Sequence, residues 1–144
     1  MNHDPQLLEV IRLGHPTLRS VAEPVPEDWI ATGQLADLGR KMVRTMIEED
    51  GVGLAAPQVA EGIRLFAYWV PETDDEPEIS PTILVNPEIR PVGDEVEDGW
   101  EGCLSIPGLR GIVPRYRRLK VRTAICEAGN AGHLQVEPLG KTSA

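Results

Sequence analysis

Cys103 sits in "EGCLSIPG", residues 101–108, directly after a carboxylate and a glycine and two positions before Ser105. A thiol in such a place has three chemistries open to it: a small buried hydrophobe, a nucleophile, or a metal ligand in its thiolate form. The second stretch with chemical content is "GVGLAAPQ", residues 51–58. Its two glycines allow a backbone that side chains would block, and its two alanines keep the turn narrow. Gln58 brings an amide with both donor and acceptor capacity. An extended peptide could lie against this segment while an amide N–H reaches a substrate oxygen. The alternative is a helix end followed by a tight connection. The glycine spacing is not that of a phosphate- or dinucleotide-binding loop, and the lysine of a P-loop is missing.

The histidines add little to these two stretches. His3 precedes Asp-Pro, His15 precedes Pro-Thr, and His133 precedes Leu-Gln-Val-Glu-Pro. None belongs to an H-E-x-x-H, the spacing that sets two imidazoles on one helix face with a glutamate between them. Cys103, Cys126 and His133 can be imagined as a three-ligand set, but their spacing matches no metal pattern. The plainer expectation is a solvated tail histidine, with Cys126 a small hydrophobe on a strand.

Several elements must position the two stretches. "LLEVIRLGHPTLRSVAEPVP" is an extended leading segment broken by Pro16, Pro24 and Pro26. From Glu27 to Asp50 the pattern turns helical, with Leu35, Leu38, Met42, Val43, Met46 and Ile47 at spacings of three and four. Gly51 is the expected stop. "IRLFAYWV" (63–70) reads as a buried strand, and "PETDDEPEISP" (71–81), with three prolines and five acids, as a solvated loop. "TILVNPEIRPV" is a second strand interrupted by Pro87, and "WEGCLSIPG" a third extended piece. "GIVPRYRRLKVRTAICEA" alternates from Arg117 to Ile125 as another strand. The tail, residues 129–144, has neither periodicity and is expected to fray. One long N-terminal helix with several mainly antiparallel strands predicts an α+β class.

The chain has 144 residues, of which 41% are hydrophobic and 26% charged, and reads as a single domain with a usable core. Its net charge of −9 argues against direct nucleic-acid binding and against an anionic membrane surface, and favours solubility. Two cysteines are too few for a disulfide framework, which fits a reduced, cytoplasmic setting. The start "MNHDPQLLEV" lacks the basic-then-apolar pattern of a secretory signal, and no stretch is apolar enough to span a bilayer.

Taken together, "GVGLAAPQ" followed by "EGCLS", with "IPGLRGIVPRYRRLKVR" after it and "IRLGHPTLRSVAEPV" before, resembles the peptide deformylases. The resemblance covers about residues 8–123 of a single 1–144 domain and leaves 124–144 unmatched. It implies hydrolytic removal of the formyl group from the N-terminal formylmethionine of nascent polypeptides, in the cytoplasm and near the ribosome. It implies ferrous iron, replaceable by zinc, nickel or cobalt, with Cys103 as one ligand. It implies that Gln58 and the backbone N–H of Leu104 hold the oxyanion of the tetrahedral intermediate. Val52, Gly53 and Leu104 would line the extended peptide, Arg110 would sit at the rim, and Glu101 would pair with Arg115 to brace the cysteine loop.

The family's other two ligands and its general base come from an H-E-x-x-H helix, which these 144 residues do not contain. The expectation is therefore a partial deformylase-like fold missing the C-terminal metal-binding helix, with weak or no metal binding and no turnover alone. Without that helix, Leu65, Ala67, Ile83 and Val85 are expected to lose part of their cover. Three explanations stay open. They are a truncated or frame-shifted deformylase, a non-catalytic peptide-binding or structural module, and a second chain that supplies the histidines.

Overall fold

The computed structural model describes residues 6–127, 134–137 and 142–143. Its one α-helix among these residues, α1 (Gln34–Glu48), follows the apolar stripe read from the sequence. Leu35, Leu38, Met42, Val43 and Met46 are buried, whereas Ile47 falls off the stripe and is exposed. The helix begins later than the periodicity suggests. Glu27–Trp29 is a single 3-10 turn, and the chain then passes through Gly33 at φ 79°, a left-handed conformation that glycine adopts without penalty. At the other end the left-handed residue is Asp50 (φ 57°), not Gly51. The Asp50 N–H donates to the Ile47 carbonyl at 3.1 Å and the Gly51 N–H to the Met46 carbonyl at 2.9 Å, which satisfies the last open carbonyls of the helix.

Among the described residues eight strands complete the α+β fold: β1 (Gly53–Ala55), β2 (Leu65–Val70), β3 (Ile79–Pro91), β4 (Val96–Cys103), β5 (Ile106–Tyr116), β6 (Leu119–Glu127), β7 (Leu134–Glu137) and β8 (Thr142–Ser143). Six of them form one sheet in the order β1-β2-β3-β6-β7, with β8 also beside β6, and β4 and β5 form a separate hairpin. Every strand pairing is antiparallel. Pro87 interrupts the pairing of its strand, as expected, without ending the strand. The register shifts between Val85 and Glu88, and Asn86 turns to φ 50°, so a bulge absorbs the residue that lacks an N–H. The solvated loop is shorter than 71–81, because β3 already starts at Ile79.

Two further expectations are corrected. The run 111–128 is not one strand: its first part belongs to β5, and the chain turns at Arg117–Arg118 before β6. The tail does not simply fray either. Its residues 134–137 add a strand to β6, with Val136 opposite Ala124, because backbone pairing needs no apolar periodicity.

Alpha-1 lies across the face of β2 and β3 that carries Leu65, Ala67, Ile83 and Val85. These four are 0–3% exposed, so their cover is intact, contrary to expectation. The core is completed by Leu54, Ala56, Val59 and Ile63. Gly39 faces Ile83 so closely that a Cβ there would collide with the isoleucine's Cδ1. Buried Thr45 donates to the Lys41 carbonyl at 2.7 Å and accepts from the Leu8 N–H at 2.9 Å, tying the leading segment to the helix.

Candidate active site

The residues after α1 run straight into the edge strand of the large sheet. Gly51 and Val52 lead into β1, which pairs with β2 through Gly53 opposite Tyr68. The other side of β1 carries no strand of that sheet among the described residues and faces the β4–β5 hairpin across a groove of about 920 Å³. Val52, Gly53, Gln58, Cys103, Leu104 and Arg110 all line it. The six residues singled out from the sequence are thus brought to one place, although the two motifs lie on different sheets.

Gln58 sits in the 3-10 turn Ala56–Val59. Its Oε1 accepts the Ala55 N–H at 2.9 Å, which leaves the amide nitrogen pointing at the hairpin. Nε2 donates to Ser105 Oγ at 3.2 Å and to Cys103 Sγ at 3.6 Å. Cys103, the last residue of β4, is a free and exposed thiol. Leu104 and Ser105 form the turn into β5, and Ser105 is 4% exposed. The leading segment clamps both motifs through its backbone. Ile11 N–H donates to the Gln58 carbonyl at 2.8 Å and Leu13 N–H to the Ser105 carbonyl at 2.9 Å.

An ion pair braces the cysteine hairpin. Arg115 grips Glu101 with two bonds of 2.8 Å, Nε to Oε2 and Nη2 to Oε1, as the sequence reading expected of this pair. The Arg115 hydrogen bond, with its charge adding to it, outweighs desolvation and holds the Glu101 carboxyl below its usual range. The same bond raises Arg115. Next to it Arg117 pairs with Glu95 at 2.8 Å and lies 3.7 Å from Glu97.

The Polypeptide deformylase family model matches residues 7–138. The chain belongs to the polypeptide deformylase family. The match runs past the last residue of the motif likeness. Peptide deformylase 1 of Bordetella pertussis is 46% identical over 77% of this chain and 64% of its own length. Peptide deformylase 2 of a Nostoc species is 43% identical over 82% of this chain and 66% of its own. The chain therefore spans less than two thirds of the length of these curated relatives. The class I type b peptide deformylase of Acinetobacter baumannii with Met-Ala-Ser bound superposes with a TM-score of 0.75 at 33% identity, covering 88% of this chain and 87% of that one. The Thermotoga maritima peptide deformylase gives 0.69 at 32% identity, over 92% and 80%.

Deformylases are metal-dependent, and the residues described here do not by themselves fit a catalytic metal. Cys103 is the one sulfur or imidazole donor in the groove, and no group of three His, Cys, Asp or Glu close enough to hold an ion occurs among the described residues. His15 Nδ1 instead accepts the Thr17 N–H at 3.2 Å, capping the 3-10 turn Pro16–Leu18. Cys126 is placed on β6 opposite Ile83, while His3 and His133 lie outside the described residues. No helix among the described residues is long and apolar enough to cross a membrane.

Sequence reasoning misses three contributors to this groove. Ser105 was noticed only as a neighbour of Cys103, yet it is the oxygen partner of Gln58. The leading segment read as a mere extended run. Trp69 read as one apolar residue of a buried strand, although its indole N–H reaches the Gly51 carbonyl at 2.8 Å. Only Ser105 carried a usable signal, its place in "EGCLS".

Proposed function

We propose that these 144 residues form the peptide-binding and thiolate-bearing part of a peptide deformylase, and that they do not turn over alone. The reaction is hydrolytic removal of the formyl group from the N-terminal formylmethionine of nascent polypeptides in the cytoplasm, as they emerge from the ribosome. The observation that carries this reading is the Gln58 amide, held by the Ala55 N–H and aimed beside Cys103 into the groove. An extended peptide pairs with the open edge of β1 at Val52 and Gly53, as peptides do at sheet edges. Gln58 Nε2 and the Leu104 N–H donate to the formyl oxygen as it gains negative charge. Arg110 stands at the rim, where the peptide leaves. Cys103 contributes one thiolate toward the family's ferrous iron, zinc, nickel or cobalt, whereas a catalytic site takes three protein ligands.

The test compares the 144-residue chain with a version extended by a deformylase H-E-x-x-H segment. Formate release from a formyl-Met peptide is expected only from the extended chain, and it should disappear with Cys103→Ala. Metal analysis after dialysis is expected to find well below one equivalent in the short chain. Formate release by the short chain would overturn the reading, and so would an extended enzyme indifferent to Cys103→Ala. A second reading is a non-catalytic peptide-binding module. Peptide binding with no gain in activity on extension would select it.

A further inference from the structure

The two walls of the groove meet at Gly51. A Cβ on this residue would stand 2.8 Å from Leu104 Cδ1, so the leucine beside Cys103 rests directly on the Gly51 backbone. From the opposite side the indole of Trp69 donates to the Gly51 carbonyl at 2.8 Å, and the Trp69 backbone N–H donates to the Val52 carbonyl at 3.1 Å. Apart from the Gly51 N–H bond to the Met46 carbonyl and the pairing of Gly53 with Tyr68, the segment has little else to stiffen it. It carries two glycines, it precedes a strand of three residues, and Val52 is 57% exposed. Trp69 itself is partly buried and packed against the core, so it is a firm anchor for a soft segment.

We infer that Trp69 is a positioning residue, whose indole N–H fixes the Gly51–Gly53 backbone against Leu104 and so sets the spacing between the β1 edge and the cysteine turn. This inference rests on the groove being a peptide site. A freed Gly51 carbonyl would rotate, and the two walls would lose a common reference. An extended peptide bound at the β1 edge would then pair at the cost of ordering that edge, and its affinity would fall.

The experiment uses the 144-residue chain, the peptide Met-Ala-Ser as probe, and the variants Trp69→Phe and Trp69→His. Phenylalanine keeps a ring but has no N–H. Histidine Nε2 stands the same number of bonds from Cβ as the indole Nε1, so it returns an N–H to that place while filling less of the core. Peptide affinity by NMR titration, amide exchange at Val52 and Gly53, and the thermal midpoint are read for each. Trp69→Phe is expected to bind about five- to tenfold more weakly, the worth of one hydrogen bond, with faster exchange at both amides. Trp69→His is expected to recover most of the affinity and protection although its midpoint is no higher. Recovery without a stability gain is what a purely structural role would not produce. A histidine variant no better than phenylalanine, or a phenylalanine variant equal to the parent, would overturn the inference. Should the parent not bind the peptide at all, the peptide-site reading fails. The exchange difference between the two variants still decides whether the indole N–H holds the segment.

Discussion

Gln58 has both ends of its amide engaged, and this fixes which atom faces the groove. The Ala55 N–H can only be met by an oxygen, so the donor end must point toward Ser105 and Cys103. A glutamate of the same shape would present an acceptor there and repel the growing negative charge that the site is proposed to hold. The Glu101–Arg115 pair works on the same hairpin through charge rather than orientation. Because the folded Glu101 carboxyl titrates below its usual value near 4.5, the unfolded chain binds more protons in that window. The pair's contribution to stability is complete above the unfolded value and fades as pH falls through the folded one. Glu101→Gln is therefore expected to lower the thermal midpoint at neutral pH and to match the parent once the carboxyl is protonated. Arg115 is exposed and Glu101 partly so, and added salt should shrink the difference. Midpoints measured across pH with and without salt check this. A deficit that grows toward acid would show that the carboxylate is not the stabilising form.

Among the elements, α1 approaches β3 closely where Gly39 faces Ile83. Replacing glycine by alanine inside a helix normally stabilises by up to about 1 kcal/mol. At Gly39 the new methyl meets Ile83 Cδ1, and Ile83 is 2% exposed, so its side chain has no solvent to move into. Overpacking of this kind costs about 1–3 kcal/mol, enough to reverse the propensity gain. Gly39→Ala is expected to destabilise by about 1 kcal/mol, a difference of those two terms. Ile83→Val removes the colliding Cδ1 at a cost of about 0.5–1.5 kcal/mol on its own. In urea unfolding the double variant should be more stable than the sum of the two single losses allows, as contacting residues couple. Simple additivity would show that helix and strand do not touch at this point.

At the scale of the whole molecule, one face of the hairpin leaves four large apolar side chains together in water. Val96 stands opposite Tyr116 and Trp100 opposite Ile112, so the alternation of both strands sends all four to one face. They are 49%, 49%, 71% and 57% exposed. A large apolar side chain left in water forgoes about 1.5–3 kcal/mol of burial, so four on one face favour association. The net charge of −9 opposes it. The chain is expected to bind hydrophobic dyes and to self-associate more as salt screens that charge, and Trp100→Glu should suppress both effects. Sedimentation at two ionic strengths measures this. A dye-silent monomer at high salt would mean that the hairpin face is already covered.

The sequence alone determined whatever is local. The apolar stripe of α1, the apolar run of β2, the alternation of β6, and the residue types of both motifs could be read directly, because a helix face or a strand face repeats within a few residues. The resemblance to deformylases followed from the motifs, and with it the six groove residues and the Glu101–Arg115 pair. Tertiary structure decided what depends on meeting a distant partner. Trp29 packs on the core from a 3-10 turn, and so α1 starts at Gln34 although the stretch before it could have been helical. Residues 106–116 pair back onto 96–103 instead of running on into β6, and residues 134–137 find β6 through backbone bonds that any sequence can make. Gly51 reads as a helix stop, but Asp50 takes the left-handed turn, and the glycine is needed because Leu104 comes to rest on it. Ser105 lies 47 residues from Gln58 and Trp69 lies 18 from Gly51. No period or propensity spans such gaps. Only the register of the folded strands carries an indole or a hydroxyl to within hydrogen-bond reach of its partner.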